Sequence, residues 1–187
     1  MGYMEELRSL VGHRCVILNG SVTVLRDAAG RVLLQHRSDG RWGLPGGLME
    51  LGESCEETAR RETKEETGLD PEGLTLLGVW SGKDCFCRVS NGDEFYAVTA
   101  AYLAESWSGT LREPDEESLG FAWAPLDALP ENVPASHRRI LDVVRESAGS
   151  VKEPVRAPEK AGFVCAGEDG GFVRCEITAE RYGERNT

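Results

Sequence analysis

Hydrophobic and polar positions alternate along the chain in a way that predicts five strands and three helices. Apolar residues form short runs or occupy every second position in the predicted strands, which are 16–26, 31–37, 74–82, 94–104 and 119–124. They recur at every third or fourth position in the predicted helices, which are 3–11, 54–67 and 136–147. Asn19–Gly20 is a candidate break in the first strand, and the turn at 27–30 favours a hairpin between the first two strands. Ser136 is expected to cap the last helix, and 38–47 is expected to be a loop rich in glycine and proline.

The order of these elements follows no regular β-α-β repeat, which favours an α+β domain of layered sheet and helices. The composition changes after Gly149, where prolines and alternating charges replace the periodic pattern. We therefore predict one domain over 1–149, with 1–11 as its N-terminal helix, and a separate extension over 150–187.

The extension is expected to consist of a linker and a β-hairpin. Residues 150–160 have the proline and charge content of a linker, and apolar segments on both sides of 168–171 are typical of hairpin strands. A loop over 169–171 would place Cys165 opposite Cys175, where a disulfide is geometrically feasible. Two reduced thiols are the alternative.

The composition limits the partners of the chain. It has 187 residues and a formal net charge of −11, so its surface repels phosphate backbones and we expect no nucleic-acid binding. No apolar run reaches the roughly 18 residues of a membrane span and no signal segment is visible, so no membrane partner is expected. The six cysteines form no C-x-x-C pair and no cluster with the three histidines, which disfavours a zinc site and favours reduced thiols in a cytoplasmic protein.

The candidate chemistry lies on the second predicted helix. Ser54 followed by Glu57 is a capping box that begins a helix, and Gly68 is a typical C-terminal stop. Glu62, Glu65 and Glu66 fall at i, i+3 and i+4, so their carboxylates converge on one helix face and repel one another.

A divalent cation would compensate this repulsion. Carboxylate oxygens suit Mg²⁺ or Mn²⁺, which neutralise phosphate charge and lower the pKa of a bound water. Glu53 lies eight residues before Arg61, a spacing that allows an ion pair between the preceding loop and the helix. The alternative is a solvated acidic face with no metal, and the spacing alone favours neither.

The stretch from Gly47 to Leu69 matches G-x5-E-x7-R-E-U-x-E-E-x-G-U, where U is a bulky aliphatic residue, and thereby resembles the Nudix box. Thr63 is the one departure, because an aliphatic residue is usual at that position. The segment Trp42-Gly-Leu-Pro-Gly-Gly47 also resembles this family, and the resemblance covers about 12–147. It implies a Nudix-type α/β/α sandwich with a mixed sheet, and Mg²⁺- or Mn²⁺-dependent hydrolysis of a nucleoside diphosphate linked to another group.

The resemblance also implies site residues. Glu62 and Glu66 are similar to the metal ligands of the family, Glu65 to a further ligand or base, and the carbonyl of Gly46 to its backbone ligand. Glu53 and Arg61 resemble the pair that orients the loop.

The catalytic base is less defined, because the family takes it from the box or from a later loop. Glu116 and Glu117 are the loop candidates, Glu117 for catalysis and Glu116 for substrate binding, with an ordinary acidic loop as the alternative. Arg37 is a candidate phosphate ligand, with a surface salt bridge as its alternative. A thiol nucleophile at Cys55 is disfavoured, because no motif ties it to His36 or His137.

The substrate is expected to be ADP-ribose or a nucleotide sugar, by resemblance to small bacterial members of the ADP-ribose pyrophosphatase type. The segment about fifteen residues past the box holds Asp84, Cys85 and Phe86, and neither the proline nor the tyrosine that marks two subfamilies. Several aromatic residues can stack on a base or belong to the core, namely Trp80, Phe86, Phe95 and Tyr96. The alternatives are a house-cleaning nucleoside triphosphate pyrophosphatase and a non-catalytic nucleotide-binding regulator. A homodimer is compatible with the family.

Overall fold

The computed structural model describes residues 2–89, 91–148, 163–169 and 172–177. It divides the chain into two compact units, Met1–Gly149 and Ser150–Thr187. The first unit contains three α-helices, one 3₁₀ turn (Lys83–Cys85) and eight strands among the described residues: α1 (Tyr3–Val11), β1 (Val16–Leu25), β2 (Val32–Arg37), β3 (Trp42–Gly43), β4 (Gly46–Leu48), α2 (Cys55–Thr67), β5 (Leu69–Trp80), β6 (Phe86–Arg88), β7 (Glu94–Gly109), β8 (Ser118–Ala124) and α3 (Ala135–Ala148).

The strands of the first unit form two sheets. The larger sheet has the order β4-β1-β7-β5, with β6 also paired to β7, and the smaller has the order β3-β2-β8. Strands β1 and β7 run parallel, whereas every other pairing is antiparallel, so the larger sheet is mixed. This confirms the predicted α+β class with a mixed sheet.

The two longer helices cover opposite faces of the larger sheet. Ala59 of α2 packs with Ala100 and Tyr102 of β7 on one face. Ile140 and Leu141 of α3 belong to the main core on the other face, which also includes buried side chains from both sheets: Val22, Val24, Val32, Leu34 and Ala101. The main core beneath α3, which we call the α3 core, therefore contains side chains from both sheets. Helix α2, which carries the acidic motif, packs on the opposite face of the larger sheet.

The predicted hairpin between the first two strands is wrong. Strand β2 pairs with β3 and β8, and only an isolated bridge between Arg26 and Val32 links it to the end of β1. Strand β7 pairs with β1 along its whole length, and on the other edge β4 pairs with Gly20–Val22, so the long partner of β1 is β7 and not β2.

Three local predictions also need correction. Strand β1 runs unbroken through Asn19–Gly20, because Gly20 allows a close approach in which an added Cβ would lie 2.4 Å from the carbonyl oxygen of Gly47. The predicted loop 38–47 contains β3 and the start of β4. Helix α3 begins at Ala135, so Ser136 lies in its first turn and is not its N-cap.

The second unit contains two described strands, β9 (Phe163–Asp169) and β10 (Phe172–Ile177), which pair antiparallel. Asp169 pairs with Phe172, and a register shift between Val173 and Cys175 leaves Cys175 opposite Cys165. A disulfide between these cysteines stays a prediction, and the linker 150–160 lies outside the described residues.

No helix in the described part of the chain has both the length and the apolar character needed to cross a membrane.

Candidate active site

Helix α2 begins and ends as the sequence predicts. The hydroxyl of Ser54 accepts a hydrogen bond from the amide of Glu57, and the carboxylate of Glu57 accepts one from the amide of Ser54 at 2.8 Å. Gly68 adopts a left-handed conformation with φ of 78° and closes the helix onto the carbonyl of Lys64. These caps fix which residues face the sheet.

The buried face of α2 is held by hydroxyl groups. Thr63, the departure from the family pattern, is fully buried and donates to the hydroxyl of Thr23 on β1 at 2.8 Å. The hydroxyl of Thr23 in turn donates to the carbonyl of Ala59. The threonine therefore packs where an aliphatic residue is usual and adds a hydrogen bond between helix and sheet.

Arg61 is the centre of a charged network at the start of the helix. Its Nε and Nη2 donate to the two carboxylate oxygens of Glu53 at 2.5 and 2.9 Å, and its Nη2 also donates to the carbonyl of Leu48 at 3.0 Å. Its Nη1 donates to Glu62 at 2.8 Å and to Glu65 at 3.1 Å. The predicted orienting pair is thus in contact, and it ties the loop before α2 to two of the helix carboxylates.

The protonation of Glu53 reflects this network. The Arg61 guanidinium, aided by the amide of Glu50 and the hydroxyl of Thr58, lowers the pKa of Glu53 to about 2. The carboxylates around Arg61 raise the pKa of its guanidinium. Both groups are therefore charged at neutral pH.

The side chain of Glu66 reaches the two glycines that begin β4, Gly46 and Gly47, which we call the glycine segment. Its Oε2 accepts the amide of Gly46 at 2.8 Å, and its Oε1 lies 3.4 Å from Nη1 of Arg37. The Nη2 of Arg37 also donates to the carbonyl of Gly46 at 3.1 Å. Arg37 therefore contacts both groups that the family resemblance identifies as metal ligands, Glu66 and the Gly46 carbonyl.

Glu62 lies against Gly47, and Glu65 faces outward. An added Cβ on Gly47 would fall 2.4 Å from the Glu62 carboxyl carbon, so the glycine leaves the space that this carboxylate occupies. Burial raises the pKa of Glu62 and that of Glu66. The side chain of Glu65 is 62% exposed.

The residues present fit a divalent cation such as Mg²⁺. Glu62 and Glu66 offer carboxylate oxygens beside backbone at Gly46 and Gly47 that carries no Cβ, and hard oxygen donors are what Mg²⁺ prefers. In the described part of the chain no three His, Cys, Asp or Glu side chains form a metal-binding group. Arg37 and Arg61 instead hold these carboxylates by hydrogen bonds and ion pairs.

The structure does not bring the loop candidates to this network. Glu116 and Glu117 are exposed in the segment before β8. The backbone of Glu117 binds Asp115 and Ser38, and within the described residues neither glutamate side chain contacts the α2 carboxylates.

An open cleft of about 480 Å³ adjoins the glycine segment. Of the aromatic candidates, Phe86 and Phe95 line it, whereas Trp80 packs against the α3 core and the ring of Tyr96 packs against Phe86. Trp42 also lines the cleft and stacks on His36 with ring centroids 4.6 Å apart.

His137 of α3 is the cleft residue that sequence reasoning missed. Its Nδ1 accepts the amide of Leu44 at 3.0 Å, so it binds the segment that leads into Gly46. Burial and the charges of Arg37 and Arg41 lower its pKa to about 4. No local motif could reveal it, because its partner lies 93 residues earlier.

The chain is similar to known proteins over the region that carries this site. It is 37% identical to the human 8-oxo-dGDP phosphatase NUDT18, over 64% of this chain and 33% of the relative, and 33% identical to the ADP-ribose pyrophosphatase of Methanocaldococcus jannaschii, over 56% and 58%. The structure is similar to that of a MutT NUDIX hydrolase from Burkholderia pseudomallei, with a TM-score of 0.58 and 34% identity over 68% of this chain and 98% of that one.

The chain spans less than two thirds of the length of the first curated relatives that it matches. The family model described as NUDIX domain matches residues 18–144, which include both sheets, α2 and most of α3. The chain belongs to the Nudix family.

Proposed function

We propose that this chain is a Nudix hydrolase that cleaves a pyrophosphate bond in a nucleoside diphosphate linked to another moiety, such as ADP-ribose or a nucleotide sugar. The observation that carries the proposal is the convergence of Glu62 and Glu66 on the glycine backbone at Gly46 and Gly47. Both carboxylates are less than one fifth exposed and are held by Arg37 and Arg61 against the glycines that line the open cleft.

Glu62, Glu66 and the carbonyl of Gly46 would hold Mg²⁺ or Mn²⁺, with Glu65 as a further ligand or as the base. The metal, when bound, neutralises phosphate charge and lowers the pKa of a bound water. Glu53 and Arg61 keep the preceding loop against the helix and so fix the position of Glu62. Glu65 is the most exposed member of the network and can accept a proton from the attacking water.

The roles of the outer residues form part of the same proposal. Arg37 would bind a phosphate of the substrate, which is supported by its position in the lining of the cleft and its contact with Glu66. Glu117 as a base and Glu116 as a substrate ligand require the segment before β8 to move towards α2, since both side chains are exposed outside the network.

The test is hydrolysis of a substrate panel in Mg²⁺ and ¹⁸O-labelled water. ADP-ribose should give AMP and ribose 5-phosphate, with one ¹⁸O in one of the two phosphates, because water attacks phosphorus. Glu66→Gln should reduce turnover at least a hundredfold, whereas Glu72→Gln, an exposed glutamate on β5, should leave it unchanged. Full activity in Glu66→Gln would refute the assignment of the metal ligand.

The second candidate function is a nucleoside triphosphate pyrophosphatase. It is supported by the 49% identity, over 52% of this chain and 45% of the relative, to a protein of Mycobacterium tuberculosis described as a putative 8-oxo-dGTP diphosphatase, because the substrate in that description is a nucleoside triphosphate. In the same panel this function would release a nucleoside monophosphate and pyrophosphate from a triphosphate and leave ADP-ribose intact. Nucleotide binding without turnover of any compound would instead indicate a regulator. Light scattering of the full chain would test the proposed homodimer.

A further inference from the structure

His137 lies on α3, after the acidic motif in the sequence, and contacts Gly43 and Leu44, which precede that motif. It lies in the first turn of α3, and its ring packs so closely on Gly43 that an added Cβ there would lie 3.2 Å from two ring atoms. Its Nδ1 accepts the amide of Leu44 at 3.0 Å. The contact with Gly43 and the hydrogen bond from Leu44 together fix the position and the orientation of the imidazole ring.

This hydrogen bond also determines where the ring carries its proton. An Nδ1 atom that accepts from an amide is unprotonated, so the neutral ring has its proton on Nε2. Burial of the ring, together with the neighbouring guanidinium groups of Arg37 and Arg41, lowers its pKa and keeps it neutral at pH 7. Nε2 has no hydrogen-bond partner among the described residues, and His137 lines the cleft.

Two guanidinium groups, which can only donate hydrogen bonds, lie near this ring. Arg37 and Arg41 line the same cleft and lie near enough to His137 to depress its pKa. Each arginine is held by a partner: Arg37 by the Gly46 carbonyl and Glu66, Arg41 by Asp39 at 2.5 Å. In a chain of net charge −11, this corner of the cleft is suited to an anionic oxygen.

We propose that His137 donates a hydrogen bond from Nε2 to a phosphoryl oxygen of the substrate, in a corner of the cleft shared with Arg37 and Arg41. The inference rests on the proposed function for the identity of the substrate, and it adds a residue of α3 to the site. His137 has two separate tasks: its Nδ1 holds Leu44, and its Nε2 binds the substrate.

Two substitutions separate these tasks. In His137→Asn the side-chain oxygen occupies the position of Nδ1 and can still accept the Leu44 amide, but no donor reaches the position of Nε2. In His137→Gln the longer amide can place a donor near the position of Nε2 but leaves the Leu44 amide without its acceptor. A role limited to holding the loop predicts that Asn is the better replacement, whereas a substrate-binding role predicts that Gln is.

The measurement is calorimetric binding of inorganic pyrophosphate to the full chain in Mg²⁺, together with KM and kcat on the compound that the panel identifies. We expect His137→Asn to weaken pyrophosphate binding about tenfold and to raise KM more than it lowers kcat, since one hydrogen bond to a charged group is lost. His137→Gln should retain more of the affinity while melting at a lower temperature. His13→Asn, which removes an exposed imidazole, is the control and should match the unsubstituted protein.

Nitrogen NMR of the ring tests the tautomer without substrate or turnover, and so separately from the proposed function. Nδ1 should resonate as an unprotonated nitrogen and Nε2 as a protonated one. A proton on Nδ1, no binding of pyrophosphate by the unsubstituted protein, or affinity in His137→Asn equal to the control would each overturn the proposal. Absence of hydrolysis with every panel compound, alongside the expected binding order, would refute the proposed function and leave the role of His137 standing.

Discussion

Replacing Arg61 by lysine removes the fork that joins Glu53 to α2 while keeping the positive charge. The guanidinium makes five hydrogen bonds, two of them to Glu53. An ammonium can retain an ionic contact but cannot meet both Glu53 oxygens, the Leu48 carbonyl and two further carboxylates from one position.

The structure sets the expected size of this effect. Exposed ion pairs contribute about 0–1 kcal/mol, and loss of one partner from a buried pair costs about 3–5 kcal/mol. The side chains of Arg61 and Glu53 are 27% and 19% exposed, which places this pair between those limits. We expect Arg61→Lys to lower the free energy of unfolding by about 2–3 kcal/mol, or the melting temperature by about 5–10 °C in a chain of this size.

Activity should fall as well as stability, because Glu62 loses its hydrogen bond from Arg61 and the preceding loop loses its anchor at Leu48. A displacement of the order of 1 Å at a reacting centre costs about a hundredfold in rate, and we expect a loss of kcat of about that size. Urea unfolding monitored by fluorescence gives the stability, and initial rates at saturating substrate give kcat.

Arg60→Lys is the matched control. Arg60 is the neighbouring arginine on the same helix; it pairs on the helix surface with Glu56 four residues away and donates to one backbone carbonyl, that of Pro71, which a lysine can also reach. It should lose less than about 1 kcal/mol and keep its kcat. The reasoning would be refuted if Arg61→Lys unfolded at the same urea concentration as Arg60→Lys and turned over at the same rate.

Three further outcomes are expected. Gly47→Ala should weaken Mn²⁺ binding, measured by electron paramagnetic resonance, because its Cβ takes the place of the Glu62 carboxyl group; unchanged affinity would contradict this. Arg37→Ala should tighten Mn²⁺ binding several-fold, because it removes a cation that competes for Glu66. Arg41→Ala removes an equal charge that pairs with Asp39 and not with Glu66, so it should leave Mn²⁺ affinity unchanged. Equal effects of the two substitutions would indicate that net charge alone sets the affinity. The Glu53 ion pair should stabilise the fold fully above about pH 4.5, the ordinary pKa of glutamate, and lose that contribution as the pH falls towards 2; urea midpoints that stay level over this interval would exclude it.

The features that the sequence predicted correctly are those encoded over a few positions. Ser54, Glu57 and Gly68 define both ends of α2 by contacts within the helix itself, and the spacing of Glu53 and Arg61 suffices to predict their ion pair. Such signals need no knowledge of distant parts of the chain.

The missed features depend on partners far away in the chain. Strand β2 pairs with β8, and β1 pairs with β7, so both strands take partners far along the chain that the turn at 27–30 does not specify. His137 acquires its role only when α3 is packed against Leu44, and no pattern around it differs from that of an ordinary helix. Thr63 differs from the family pattern in residue type but is still buried, because Thr23 on β1 supplies the hydrogen-bond partner that its hydroxyl needs.

The parallel pairing of β1 with β7 has a consequence for how the molecule assembles. Val16 pairs with Phe95 and Leu25 with Ala104, so this pairing closes a loop of about 80 residues that includes β4 and α2. Non-local parallel pairings of this kind form slowly, because the entropy of the intervening chain is lost before the contacts form. A helix of 13 residues is marginal in water without tertiary support. A nascent chain that has emerged only as far as Gly68 therefore contains every charged residue of the motif but not β7, and the site comes into being when the second half of the domain has been made.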